Sequence, residues 1–446
     1  MNHHSFIGLE TVSSDVALRL PLSFRKLSES KASPVEGQIL HFNPIYQGYI
    51  NLHQSYRPIS KMFTDAPRVV ATSNVTEKVA TTSSQYKMLS LAENSHKPFR
   101  LFSACFITQG HTRSLISDPQ REAIYFVPVI LGEILTKNQG LSFTQLVEKY
   151  GEANRSHLVE YFEFLLERQL IFFLEDDWEQ SAFPALDLSA YESAPVIEHL
   201  ILDIGQDTNY DPRIVLEQLK ELGVFHVEIR YYTSVSLDKL SYLEALKDTM
   251  VKSVEVLLPY QTDYTPEFIK AQKLREKYPW LLQITFFDAP EAQEVKEQHL
   301  LLSYTPQTVS SAQHCGKIGY WAFANDLPMI TLNQSHNSCL YKTMGIDENG
   351  FIKNCPSMQE NFGHINNTSL TEAVAKPGFR KHWNTHKAQI EVCKICEFRD
   401  ICSDCRAYTQ NDDPYGKPLK CGYDPYVGEW ITNTQLIEQT NLTITQ

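Results

Sequence analysis

The sequence has no run of about eighteen apolar residues, so it offers no helix that would span a membrane. It has no surplus of basic residues either. Lys and Arg number 40 against 53 Asp and Glu, and the formal charge of −13 argues against a nucleic-acid backbone as partner. Glycine-rich phosphate loops of the P-loop and Rossmann types are missing. The opening, MNHHSFIGLE, lacks a basic segment followed by an apolar one, so no secretory signal is expected and the chain reads as cytoplasmic. Cysteine is nearly absent from the first 300 residues, where Cys105 stands alone. What remains is a chain of 446 residues, 42% hydrophobic and 11% aromatic, enough for about three domains with real cores.

Residues 1–97 are rich in Ser and Thr and show no sustained period, which predicts a disordered N-terminal extension. From Pro98 the pattern tightens. A hairpin is expected through Arg113–Tyr125 and helices at Pro128–Leu135, Thr144–Tyr150 and His157–Arg168, with a strand at Leu170–Leu174. Ser142 is placed to cap the second helix. The third carries an apolar face of Leu158, Tyr161, Phe162, Leu165 and Leu166. Three helices and a strand over 98–180 follow a winged-helix order, which suggests a unit for recognising an extended peptide. Arg113, Arg121, Arg155 and Arg168 would meet an acidic peptide, with Tyr125, Phe126, Tyr161 and Phe164 as pocket walls.

Over 195–330 strands alternate with helices: Ile197–Ile204, Pro212–Leu222, Val224–Tyr231, Leu237–Lys247, Val251–Leu258, Pro266–Tyr278 and Leu282–Phe287. That alternation predicts βαβ units on a parallel sheet. Four strands are too few for a closed eight-stranded barrel, so the expected class is α/β with a partial parallel βα barrel. Asp203, Asp207 and Asp211 gather near the end of the first strand, where capping and loop solvation are the plainer reading. His226, Glu228 and Arg230 on the second strand are candidates for its interior face.

Eight cysteines crowd into the final 132 residues: Cys315, Cys339, Cys355, Cys393, Cys396, Cys402, Cys405 and Cys421. Ten residues separate Cys339 from Gly350 and four more precede Cys355. After a gap come Cys393 and Cys396 with two residues between, then five residues to Cys402, two to Cys405 and fifteen to Cys421. Thiolates two residues apart can reach one metal centre from a single turn. Three readings are open on spacing: buried free thiols, one or two structural zinc ions, or iron–sulfur clusters. The seven from Cys339 onward are too many for one tetrahedral zinc.

This order resembles the SPASM domain of enzymes that mature ribosomal peptides, matching at Cys339, Gly350, Cys355, Cys393, Cys396, Cys402, Cys405 and Cys421. It departs by one residue fewer between Cys402 and Cys405. Within that family it is most similar to the grasp-with-SPASM maturases, through the runs 336–339, 354–358, 393–408, 417–423 and the opening 97–103. The resemblance covers about residues 97–435 and implies a C-terminal iron–sulfur domain over 331–435. It implies one 4Fe-4S cluster on Cys393, Cys396, Cys402 and Cys421, and a second on Cys339, Cys355 and Cys405 with an open or upstream fourth place. Cys315 is the candidate for that place, against the alternative of an ordinary buried thiol; His336 is a lesser one. The implied partners are a ribosomal precursor peptide and an ATP-grasp ligase.

One expected element is missing. A radical S-adenosylmethionine enzyme carries a CxxxCxxC triplet after the first strand, and here the loop 205–211 holds no cysteine. No use of S-adenosylmethionine is therefore expected, and whether the chain is itself catalytic stays open. The expected function is maturation or presentation of a precursor peptide. The alternative is a zinc-stabilised, non-enzymatic peptide-binding adaptor.

Overall fold

The computed structural model describes residues 90–188, 192–297 and 299–430, so nearly all of the expected N-terminal extension lies outside the described residues. Five strands come first: β1 (Phe99–Leu101), β2 (Phe106–Gln109), β3 (Ser114–Asp118), β4 (Ala123–Val127) and β5 (Ile171–Phe173). They divide between two compact units.

The first unit comprises residues 90–102 and 138–183. Here β1 and β5 pair antiparallel, Phe99 opposite Phe173. The helix Phe143–Tyr150 starts where expected because Ser142 and Gln145 satisfy each other: the Ser142 hydroxyl accepts from Gln145 N–H at 3.2 Å, and Ser142 N–H donates to Gln145 Oε1 at 2.8 Å. The helix Arg155–Glu167 buries Leu158, Tyr161, Phe162, Leu165 and Leu166, the face its periodicity marks. Phe162 stands edge-on to Phe99 at 5.1 Å and to Phe143 at 5.4 Å, geometry worth about 0.5–1.5 kcal/mol per pair beyond burial. Tyr161 is therefore core rather than a wall open to a peptide.

Residues 103–137 and 184–430 form the second unit. The strands β2, β3 and β4 make an antiparallel meander that includes the expected hairpin, followed by the helix Val129–Lys137. This meander seats on the cysteine-rich region of the same unit. Arg113 Nε pairs with the fully buried Glu397 at 2.6 Å, and its guanidinium lies 3.8 Å above the Phe126 ring. Phe126 meets Phe398 edge-on at 5.7 Å, and Thr108 donates to Asp400 at 2.6 Å. Arg121 pairs with Asp118. Arg113 is turned to the protein's own Glu397 rather than to an acidic peptide, whereas the Arg121 side chain stays 42% exposed beside Asp118.

The main sheet has eight strands, adding β6 (His199–Ile204), β7 (His226–Tyr231), β8 (Ser253–Pro259), β9 (Leu281–Phe287), β10 (Gln293–Glu297), β11 (Leu300–Tyr304), β12 (Thr343–Ile346) and β13 (Ile352–Lys353). Their order is β10-β11-β9-β8-β7-β6-β12-β13, with the inner six parallel and the two edges antiparallel. This is a mixed α/β fold. It exceeds the four parallel strands expected, because β11 follows a hairpin rather than a helix and β12 comes from the cysteine-rich stretch.

Alternation along these strands separates two faces. Leu200, Leu202, Val227, Ile229, Val254, Val256, Ile284 and Phe286 join one apolar cluster with Val215, Leu216, Leu219, Leu240, Leu243 and Ile269 from the connections. Each such side chain contributes about 1.5–3 kcal/mol on burial. The opposite face is polar in rows set by the parallel register. His199, His226 and Ser253 form one row, Ile201, Glu228, Glu255 and Gln283 the next, and Asp203, Arg230, Leu257 and Thr285 the third. No helix among the described residues is long and apolar enough to cross a membrane.

Candidate functional site: two groups of thiols

All nine cysteines are unpaired by disulfides. The chain presents eight of them through short turns rather than long helices. Cys339 follows the helix Leu327–Ser335, where buried Asn337 accepts from the N–H groups of Cys339 and Leu340 at 3.0 Å each. Cys355 comes just after β13, and Cys393 opens a one-turn helix in which Cys396 N–H donates to Cys393 C=O at 3.0 Å. The segment Ile318–Phe323 lies along the last cysteines, bridging to Cys421 and Cys402.

Cys315, Cys339, Cys355 and Cys405 line one small cavity, together with Ser357, Asp404 and Tyr408. Gly316 sits at φ +88°, and a Cβ there would come within 2.7 Å of Cys405 Sγ. The close approach requires glycine, which keeps the cavity's thiols within reach of Cys315. Burial first, then the charges of Cys339 and Cys315, push the Cys355 thiol well up, with Arg230 opposing. Cys405 is raised by burial and then by Cys339 and Asp404.

The second group is Cys393, Cys396, Cys402 and Cys421, whose sulfurs act on one another electrostatically. Burial pushes Cys393 up to about 11 and Cys402 to about 12, although the Lys387 ammonium pulls both down. Without a cation beside them Cys393 and Cys402 would keep their protons at neutral pH. Cys105, outside both groups, is raised to about 12 by burial and then by Asp118.

Between the groups lies a buried charge network that spacing alone did not reveal. Asp404 accepts from Asn337 Nδ2 at 2.7 Å, Arg406 Nη2 at 3.0 Å and Lys387 Nζ at 3.3 Å. Burial would raise its pKa, but Lys387 and Arg406 bring it down to about 2. Lys387 is held charged against its own burial by Cys402 and Cys393 where those thiols are ionised, and by Asp404. The position of Asp404 and Arg406 on either side of Cys405 was the available signal.

The other candidates separate. Asp211 caps the helix Pro212–Glu217, accepting from Arg213 N–H at 2.9 Å. Asp203 is buried and bound to Arg230 Nε at 2.5 Å and to the Tyr232 hydroxyl at 3.0 Å. Its pKa is raised by burial despite Arg230. His226, Glu228 and Arg230 do share one face, as the alternation allows. His336 hydrogen-bonds Asn384 at 2.9 Å and stacks on Tyr341, apart from the lining of the thiol cavity.

No family model matches the chain, and no curated protein matches it. Among solved structures it is similar to SuiB of Streptococcus suis bound to S-adenosylmethionine, at 10% identity and TM-score 0.29, covering 72% of this chain and 98% of that one. SuiB with no ligand named is similar at 12% identity and TM-score 0.31, covering 71% and 98%. SuiB bound to the precursor peptide SuiA is similar at 10% identity and TM-score 0.31, covering 72% and 98%. At these scores the likeness assigns neither family nor function, and the functional reading rests on the chain's own residues.

Proposed function

We propose that this chain acts in peptide maturation through a cysteine-rich region that holds two 4Fe-4S clusters. Cys315, Cys339, Cys355 and Cys405 would hold one and Cys393, Cys396, Cys402 and Cys421 the other. The observation that carries the reading is that Cys315 completes the cavity of three cysteines, turning seven spaced thiols into two sets of four. Four thiolates are the donor set of a 4Fe-4S cluster.

Two sets of four thiols exceed what one tetrahedral zinc takes. A cluster at either position would supply electron transfer or a structural staple. The chain's own part is electrostatic: Lys387 and Arg406 offset thiolate charge beside the second set, and Arg230 does so near Cys355 and Cys315.

The resemblance of the cysteine order to SPASM maturases supports a precursor peptide as partner and an ATP-grasp ligase beside it. Without cysteines in the loop 205–211, the chain would work without cleaving S-adenosylmethionine. Iron and acid-labile sulfide are counted after anaerobic purification, with about eight irons per chain expected. Stoichiometric zinc without sulfide would overturn the cluster reading. An unchanged mass of a co-expressed precursor and ligase product, with and without this chain, would overturn the maturation reading.

A further inference from the structure

At the N-terminal ends of the parallel strands, away from the cysteines in sequence, three ligand-type side chains meet. His199 begins β6 and His226 begins β7, and the parallel register sets them side by side. Their rings stack at 5.0 Å with planes 21° apart. Glu198 precedes His199, and one donor atom from each of Glu198, His199 and His226 lies within 4.8 Å of the others. Glu198 and His199 are buried, at 8% and 5% exposure, and His226 is half-buried.

We infer that Glu198, His199 and His226 form a site for a single divalent transition-metal ion of the zinc class. Two imidazoles and one carboxylate are a recurrent donor set for such ions, leaving a fourth position for water. Ser253, next in the same row on β8, supplies the outer contact. His226 Nδ1 lies 2.7 Å from Ser253 Oγ. With Nδ1–H donating to that hydroxyl, Nε2 is the ring nitrogen that would bind a metal. Glu198 accepts from the Ser193 hydroxyl at 3.0 Å, which orients the carboxylate without using both oxygens. Burial raises the pKa of Glu198, while the Ser193 hydroxyl and then Lys342 and Lys252 favour its ionised form, so the carboxylate also has a simple counter-ion as its rival role. The ion would pin the start of β6 to that of β7. This site is independent of the thiol groups, whose donors are sulfur.

The test uses the full chain, purified anaerobically with its iron in place and equilibrated with zinc chloride before desalting. Zinc-edge X-ray absorption reads the ligands separately from iron. One retained zinc per chain is expected, with a nitrogen and oxygen shell at about 2.0 Å and no sulfur shell. Zinc in a sulfur shell near 2.3 Å, or no retained zinc, would overturn the site. His226→Gln and Glu198→Gln should each weaken retention by more than about tenfold, and Ser253→Ala by about tenfold through lost orientation. Circular dichroism and the visible iron–sulfur absorption check that the variants fold. Wild-type zinc retention in folded His226→Gln overturns the assignment as surely as a sulfur shell does.

Discussion

Lys387 donates to Asp404 at 3.3 Å with both side chains buried, and that pair stands between two groups of thiols. Its charge is what the second group leans on. Replacing Lys387 by Met should destabilise the folded chain by about 3–5 kcal/mol, because it leaves a buried carboxylate short of its partner. Denaturant unfolding followed by circular dichroism would show the shift. An unchanged midpoint would mean that Arg406 alone compensates Asp404.

Asp404 also sets a pH dependence. Its folded pKa, near 2, lies below that of an ordinary aspartate, so it contributes stability that is fully present above about pH 4. That contribution, about 2 kcal/mol, is lost as pH falls through 2. The stability gap between wild type and Asp404→Asn should therefore narrow as the pH falls from about 4 towards 2. A constant gap across that window would contradict the depressed pKa.

Cys315 and Cys105 should behave oppositely. Cys315→Ser is expected to lower iron by up to about four atoms per chain, since it removes one of four donors from the first group. Cys105→Ser should leave iron unchanged. Equal losses from both variants would break the grouping.

Arg113 is structural. Arg113→Ala should cost about 2–3 kcal/mol by unpairing buried Glu397, and Arg121→Ala, at an exposed pair, less than about 1 kcal/mol. Calorimetry with a precursor leader should show no loss of affinity specific to Arg121→Ala. A leader that binds wild type but not folded Arg121→Ala would restore that arginine as a recognition element.

With a strong reductant and S-adenosylmethionine, the purified chain should form no 5′-deoxyadenosine above the level without protein. Chromatography of the quenched mixture decides this. Any turnover would require a third cluster site that the loop 205–211 does not offer.

Much of the fold was legible because it depends on local pattern. The capping box at Ser142, the apolar face of Arg155–Glu167 and the strands β6 to β9 all follow from periodicity and end signals. The segment Leu237–Leu246 appeared helical and is a 3-10 helix, a difference that apolar spacing does not encode. The strands β11 and β12 were missed because β11 pairs with β10 in a hairpin rather than following a helix, and Gly345 interrupts the apolar pattern of β12. The thiol groups were half legible. Spacing marked the second set, whereas the place of Cys315 depends on a fold that returns residue 315 to Cys405. Lys387 was invisible, since one lysine among many carries no local sign of burial beneath three thiols.

The pairing of β12 with β6 has a cellular consequence. The short hairpin β12–β13 runs between Cys339 and Cys355, so the loop that would grip iron is also the neighbour of a central strand. If iron starvation loosened that hairpin, β6 would become an open edge, with Leu200, Ile201 and Leu202 beside unpaired backbone groups. Such an edge recruits other strands. Scarcity of iron would then be felt as clumping of the protein and its clearance by proteases, before any question of chemistry arose.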